Sequence, residues 1–147
     1  MSDKSVSVDA WEALFRAQVS VLRQLSAEFP SGELSLNEYD VLFNLARVPG
    51  RRLRIRDLNR TLLITQPSVS RLVDRLVTHG LVTKEHDPVD GRGMVVLLTD
   101  AGFDLFRRVA VVHATSIHSR VGSALSEDEL KTLTVLTDKL RLNGGRP

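Results

Sequence analysis

The chain has 147 residues, 42% of them hydrophobic and 26% charged, with a mean hydropathy near zero, the make-up of one ordinary globular domain. It contains no apolar run of 18 residues, and none of the secretory type follows Met1-Ser2-Asp3-Lys4, so a membrane-spanning or exported chain is disfavoured and a cytoplasmic one expected. With no cysteine, the sequence excludes disulfides, thiolate metal sites, iron–sulfur clusters, a Cys nucleophile and thiol-based redox sensing.

In chain order, Asp9-Ala10-Trp11-Glu12 has the form of a helix N-cap followed by an acid three residues on. Trp11, Leu14, Phe15, Val19, Leu22, Leu25 and Phe29 then recur at helical spacing until Pro30. Ser35-Leu36-Asn37-Glu38 is a second capping box, opening a helix with Leu36, Tyr39, Leu42, Phe43 and Ala46 as its inner stripe, which ends before Pro49-Gly50. An arginine-rich stretch leads into a short third helix from Arg56 to Leu63, with Ile55, Leu58 and Leu62 at i, i+3 and i+7.

The fourth helix is the most informative. Val69, Leu72, Val73, Leu76 and Val77 fall on one stripe, while Pro67, Arg71, Asp74, Arg75 and Thr78 fall opposite, with Ser68 and Ser70 on the flanks and Gln66 at the start. Pro67 fits the first turn, whose N–H groups have no intrahelical partner, and Gly80 supplies the stop. Two β-rich runs, Leu81 to His86 and Met94 to Leu98, then flank the polar tip Asp87-Pro88-Val89-Asp90-Gly91-Arg92-Gly93 and predict a hairpin. Thr99 can cap a long fifth helix carrying Phe103, Phe106, Ala110, His113, Ile117 and Val121. Ser126-Glu127-Asp128-Glu129 opens a sixth, with Leu130, Leu133, Leu136 and Leu140, before Asn143-Gly144-Gly145.

Charge is uneven along the chain. From Arg47 to Arg75 there are eight arginines and two acids, a window of +6 in a chain whose net charge is +2, which leaves −4 elsewhere. A basic middle between acidic flanks is the pattern expected when one face meets a polyanion. A solvated arginine-rich loop is the plainer reading of the charge alone.

A short helix, a tight connection, a helix with a small, polar and basic outer face, and then a hairpin form a winged helix-turn-helix. The major groove admits one α-helix and reads it near its N-terminus, where small residues permit close approach. Gln66, Pro67, Ser68 and Ser70 meet that need. Arg71, facing outward one turn in, can place its fork on a guanine, whereas Arg75, a turn further on, suits phosphate. Arg51, Arg52 and Arg54 are expected on the DNA backbone. Arg92, between Gly91 and Gly93 on the hairpin tip, can enter a minor groove, or pair with Asp87 or Asp90 to brace the tip.

With these elements in place, the stretch from Leu36 to Gly102 resembles the MarR family of winged-helix transcriptional regulators. The resemblance rests on Gln66-Pro67-Ser68-Val69-Ser70-Arg71-Leu72-Val73-Asp74-Arg75-Leu76, Gly80-Leu81-Val82, Asp87-Pro88-Val89-Asp90-Gly91-Arg92 and Leu98-Thr99-Asp100-Ala101-Gly102, in that order. It implies a homodimer with interlocking N- and C-terminal helices, reading a pseudo-palindromic operator. It further implies repression and release by a small, often aromatic, molecule. The chain departs from the family's pattern at Gly91 and Lys84, where arginine is usual, and at Leu63, where the turn often has glycine.

Independently of the resemblance, a lobe over residues 31–99 is too small to cover the apolar stripes of residues 1–30 and 100–147, which points to a second copy. A two-fold then spaces the Arg71-bearing helices by one turn of duplex, about 34 Å. The four histidines, His79, His86, His113 and His118, do not fall at ligand spacing, and no serine has an evident base, so neither a metal site, a cofactor nor an enzyme is expected. Trp11, Phe15, Tyr39 and Phe43 read first as core, with Arg16 beside them as an anchor for a ligand carboxylate. The competing function is a winged-helix protein-interaction module whose fourth helix meets an acidic protein.

Overall fold

The computed structural model describes residues 3–62 and 66–143, with the side chains of Gln66 and Pro67 left out of the description. Its elements are α1 (Lys4–Glu28), α2 (Leu36–Ala46), a 3-10 turn (Pro49–Arg51), β1 (Arg52–Arg54), α3 (Ile55–Thr61), α4 (Gln66–Thr78), β2 (Val82–His86), β3 (Met94–Leu98), α5 (Asp100–Ile117), a π turn (His118–Gly122) and α6 (Glu127–Asn143). The chain is mostly helical with one small antiparallel sheet, the winged helix-turn-helix expected. Among the described residues, no helix is long and apolar enough to cross a membrane.

The chain divides into two compact units, one holding α1 and the chain from His113 onward, the other running from Phe29 to Val112. The second unit, the lobe, reaches further along α5 than the boundary at Thr99 drawn from the sequence. The cause is packing: Leu105 and Val109 are buried in the lobe's core, with Phe103, Phe106 and Ala110 against it. Val41, Leu42, Leu45, Leu58, Val69, Val73, Leu76 and Val96 form the fully buried centre of that core.

Capping chemistry sets several boundaries. At α2 the Ser35 hydroxyl accepts the Glu38 N–H at 3.1 Å and the Glu38 carboxylate accepts the Ser35 N–H at 3.0 Å, satisfying two donors a helix start leaves open. The Thr99 hydroxyl accepts the Gly102 N–H at 3.0 Å, and Ser126 and Glu129 form the reciprocal pair at α6. At the end of α4 the Gly80 N–H reaches the Val77 carbonyl and the Leu81 N–H the Leu76 carbonyl, the paired closure that needs a left-handed residue. Gly80, at φ +73°, provides it.

Four expectations need correction. α1 begins at Lys4 rather than at Asp9, because Asp3 takes the cap, its carboxylate accepting the Ser5 N–H at 2.9 Å. The wing has three strands rather than two: β1 pairs antiparallel with β3, Arg52 opposite Leu97 and Arg54 opposite Val95, giving the order β1-β3-β2. Val77, placed on the inner stripe of α4, is an exposed residue at its rim. The fifth helix ends as α-helix at Ile117 and passes through a π turn, where a Cβ on Gly122 would crowd the His118 ring at 2.5 Å. The expected end of the third helix at Leu63 and the Gly144-Gly145 stop lie outside the described residues.

In the helical unit, α1 and α6 contain no buried residue. Trp11, Phe15 and Leu22 on α1, Ile117 on α5, and Leu133, Leu136 and Leu140 on α6 are exposed. Within this unit Arg120 of the π turn holds the Glu28 carboxylate, its Nε at 2.7 Å.

Candidate nucleic-acid interface

α4 separates its two faces cleanly. Val69, Leu72, Val73 and Leu76 are buried, each at most 2% exposed, and lock the helix against the core formed with α2 and α3. Arg71, Asp74, Arg75 and Thr78 are exposed on the other side, and Ser68 and Ser70 are half-buried at the flanks. The outward set is the one the sequence assigned to a DNA groove. Asp74 is the only acid on α4, and its carboxylate accepts a hydrogen bond from the Lys84 ammonium of β2 at 2.6 Å. Lys84 thus offsets the one charge on this face that would repel phosphate.

The three arginines expected on the backbone of DNA differ in their surroundings. Arg52 is exposed. Arg51, which adopts φ +52° after Gly50 at φ +73°, lays its guanidinium 3.7 Å from the centre of the Phe103 ring and lies 3.9 Å from the Asp100 carboxylate. A cation held over an aromatic face and beside an acid has its field partly answered from within. Arg54 donates from Nε to Asp87 at 2.7 Å. Arg56 and Arg60, one helical turn apart on α3, are also exposed; the sequence signal for them is their place inside the +6 window rather than any motif.

The wing tip is built around Asp87, which is only 4% exposed. One carboxylate oxygen meets Arg54 and the other accepts the Val89 N–H at 2.9 Å. The Val89 N–H foremost, then the Asp90 N–H and the Arg54 and Arg56 guanidiniums, hold this carboxyl below the usual carboxylate range, against burial that would raise it. Arg92 is exposed at the tip, and its backbone N–H donates to the Asp90 carboxylate at 3.1 Å. Asp87 is therefore braced by Arg54, whereas the sequence had suggested Arg92 for that part.

The residues considered for a small ligand fall in both units. In the helical unit the exposed Trp11 and Phe15 rings lie 5.6 Å apart, and Arg16 pairs with Glu12 at 3.5 Å. In the lobe Tyr39 is buried among Phe29, Phe43 and Phe106, with ring centres at 5.5, 6.4 and 5.4 Å, and Phe43 carries the Arg47 guanidinium at 5.0 Å. Burial pushes the His113 imidazole below its ordinary pKa. Among the described residues no three His, Asp or Glu side chains gather as a metal site requires.

A family model described as the MarR family matches residues 33–93. The chain is 33% identical over 86 residues to YkoM of Bacillus subtilis (strain 168), an uncharacterised HTH-type transcriptional regulator; the match covers 58% of this chain and about half, 55%, of that relative. Among solved structures it is similar to Sco3205, a MarR family transcriptional regulator from Streptomyces coelicolor in complex with DNA, with TM-score 0.79 and 29% identity over 94% of this chain and 86% of that one. It is also similar to AbsC, another MarR family regulator of Streptomyces coelicolor, with TM-score 0.78 and 25% identity over 99% and 98%. The recognition-helix and wing motifs and the winged lobe agree with these likenesses: residues 33–93 match the MarR family model, and the fold is similar to that of solved MarR family regulators.

Proposed function

We propose that the protein is a sequence-specific regulator of transcription that binds double-stranded DNA as a homodimer and represses from a pseudo-palindromic operator. The observation that carries the reading is the division of α4, with its valines and leucines in the core and Arg71 and Arg75 exposed beside small polar residues. Such a helix can enter a major groove without disturbing its own lobe. Sco3205, solved with DNA, supports the same use of the fold. The exposed apolar residues of α1 and α6 support a second copy, since a single chain leaves Trp11, Phe15, Leu136 and Leu140 in water. On this reading Ser68, Ser70 and Arg71 meet the base edges, together with Gln66 and Pro67, whose side chains lie outside the described residues; Arg75 and Arg52 meet phosphate, and Arg92 the minor groove.

The test is a binding series on the DNA upstream of the protein's own gene. Arg71→Ala should relax base preference at one position per half-site by about 1–3 kcal/mol, while Arg52→Ala should weaken binding to every sequence alike. Equal, sequence-blind losses from both would refute the readout role of Arg71. Binding to an acidic protein in preference to DNA would favour the interaction module. For release by a small aromatic carboxylate, the ring pair Trp11–Phe15 with Arg16 is the proposed contact, and Trp11, the one tryptophan of the chain, reports it by quenching.

A further inference from the structure

The ion pair between Arg54 and Asp87 crosses the wing. Arg54 ends β1 and Asp87 follows β2, and β3 lies between those strands. The pair therefore ties the outer strand to the tip over the middle one, level with Val95, which faces Arg54, and next to Met94, which faces His86. Around it the tip is closed by its own backbone. The Asp87 N–H donates to the Gly93 carbonyl at 2.9 Å and the Gly93 N–H to the Asp90 carbonyl at 2.9 Å. The Val89 N–H and the Arg92 N–H are held by the Asp87 and Asp90 carboxylates. Asp87 is the hub of this loop, and Arg54 is the cation that compensates its burial.

A guanidinium already neutralised by a buried carboxylate brings little net charge to a phosphate, and moving it there would leave Asp87 buried without its counter-ion. Arg52, two residues earlier on the same face of β1, is exposed. We propose that Arg54 is a positioning residue of the wing and not a phosphate ligand: with Asp87 it fixes the Pro88–Arg92 tip so that the Arg92 guanidinium is presented to the duplex. The proposal rests on the DNA-binding reading and refines the part first expected of Arg54.

Two measurements on the full chain separate the possibilities. The first is affinity for the upstream DNA across a salt series, where each phosphate contact contributes about 0.9 to the slope of log K against log salt. The second is amide exchange at Val89, Arg92 and Gly93 in the DNA-free protein, with thermal melting as a check on folding. Arg52→Gln should flatten the slope by about 0.9 and leave tip exchange unchanged. Arg54→Gln should leave the slope where it was, weaken binding at every salt concentration about tenfold and speed tip exchange about tenfold or more. Asp87→Asn should speed tip exchange likewise, and Arg54→Lys, which keeps the charge, should recover most of the protection and affinity that Arg54→Gln loses.

A slope lowered by about 0.9 in Arg54→Gln with tip protection intact makes Arg54 a phosphate ligand and overturns the proposal. So does unchanged tip exchange in both Arg54→Gln and Asp87→Asn. If Asp87→Asn does not fold, the comparison of Arg54→Gln with Arg54→Lys decides. A wild-type affinity indifferent to salt overturns the DNA-binding reading itself, before any variant is compared, and the exchange data then uphold or overturn the clamp on their own.

Discussion

Gly102 sits in the first turn of α5, where alanine would ordinarily favour a helix by up to about 1 kcal/mol over glycine. Here the sign should reverse. A Cβ on Gly102 would stand 2.8 Å from Leu98 Cδ1 and 3.0 Å from the Leu81 carbonyl carbon, and would run directly into the Leu81 carbonyl oxygen. That oxygen cannot simply retreat, because it accepts the Thr99 N–H at 3.1 Å and the Leu81 N–H closes α4 on Leu76. Overpacking costs about 1–3 kcal/mol, and loosening the Thr99 bond adds about 0.5–1.5 kcal/mol. Set against the helix-propensity gain, Gly102→Ala should destabilise by about 1–3 kcal/mol, or about 2–4 °C of melting temperature per kcal/mol. The assay is thermal or urea unfolding of wild type and variant at equal protein concentration. A variant melting at or above the wild-type temperature would refute the close approach of α5 to the turn after α4.

Leu76 has no exposed surface, so Leu76→Ala should lower the stability measured by denaturant unfolding by about 2–5 kcal/mol; a loss under about 1 kcal/mol would mean that α4 does not face the core. His113 has its pKa lowered by burial from the ordinary 6.5. Below about pH 6.5 the unfolded chain therefore takes up a proton that the folded chain resists. Its contribution is present above that pH and is lost as pH falls toward the folded-state value. Melting temperatures across this range should show the loss in wild type and a shallower one in His113→Leu; identical profiles would contradict the assignment.

Much of this architecture was legible in the sequence because local rules and tertiary packing agree. The stripe of Val69, Leu72, Val73 and Leu76 is unambiguous at helical period, and three side-chain caps at Ser35, Thr99 and Ser126 are local hydrogen-bond devices that need no distant partner. Much of what escaped was decided by contacts remote in sequence. Arg52-Leu53-Arg54 reads as loop until β3 supplies a partner more than forty residues away. Asp3 and Asp9 are equally good caps on paper, and the helix extends to Asp3 because Ser5 and Val6 can join it. Arg51, Arg52 and Arg54 look interchangeable in a charge count. Phe103, Asp100 and Asp87 distinguish them, and none of these lies within thirty residues. Tyr39 and Phe43 read first as core, and in the lobe Phe29 and Phe106 pack against Tyr39 and Phe106 against Phe43.

The central claim is that the exposed face of α4 enters a groove of the double helix. Hydroxyl-radical footprinting of the DNA upstream of the gene tests it most directly. The dimer should protect two patches on one face of the duplex, centred one helical turn or about 10 base pairs apart, and Arg71→Ala should need more protein on that site than on a non-specific fragment relative to wild type. Protection spread evenly along any fragment, or none at protein concentrations that saturate an acidic peptide, would contradict it.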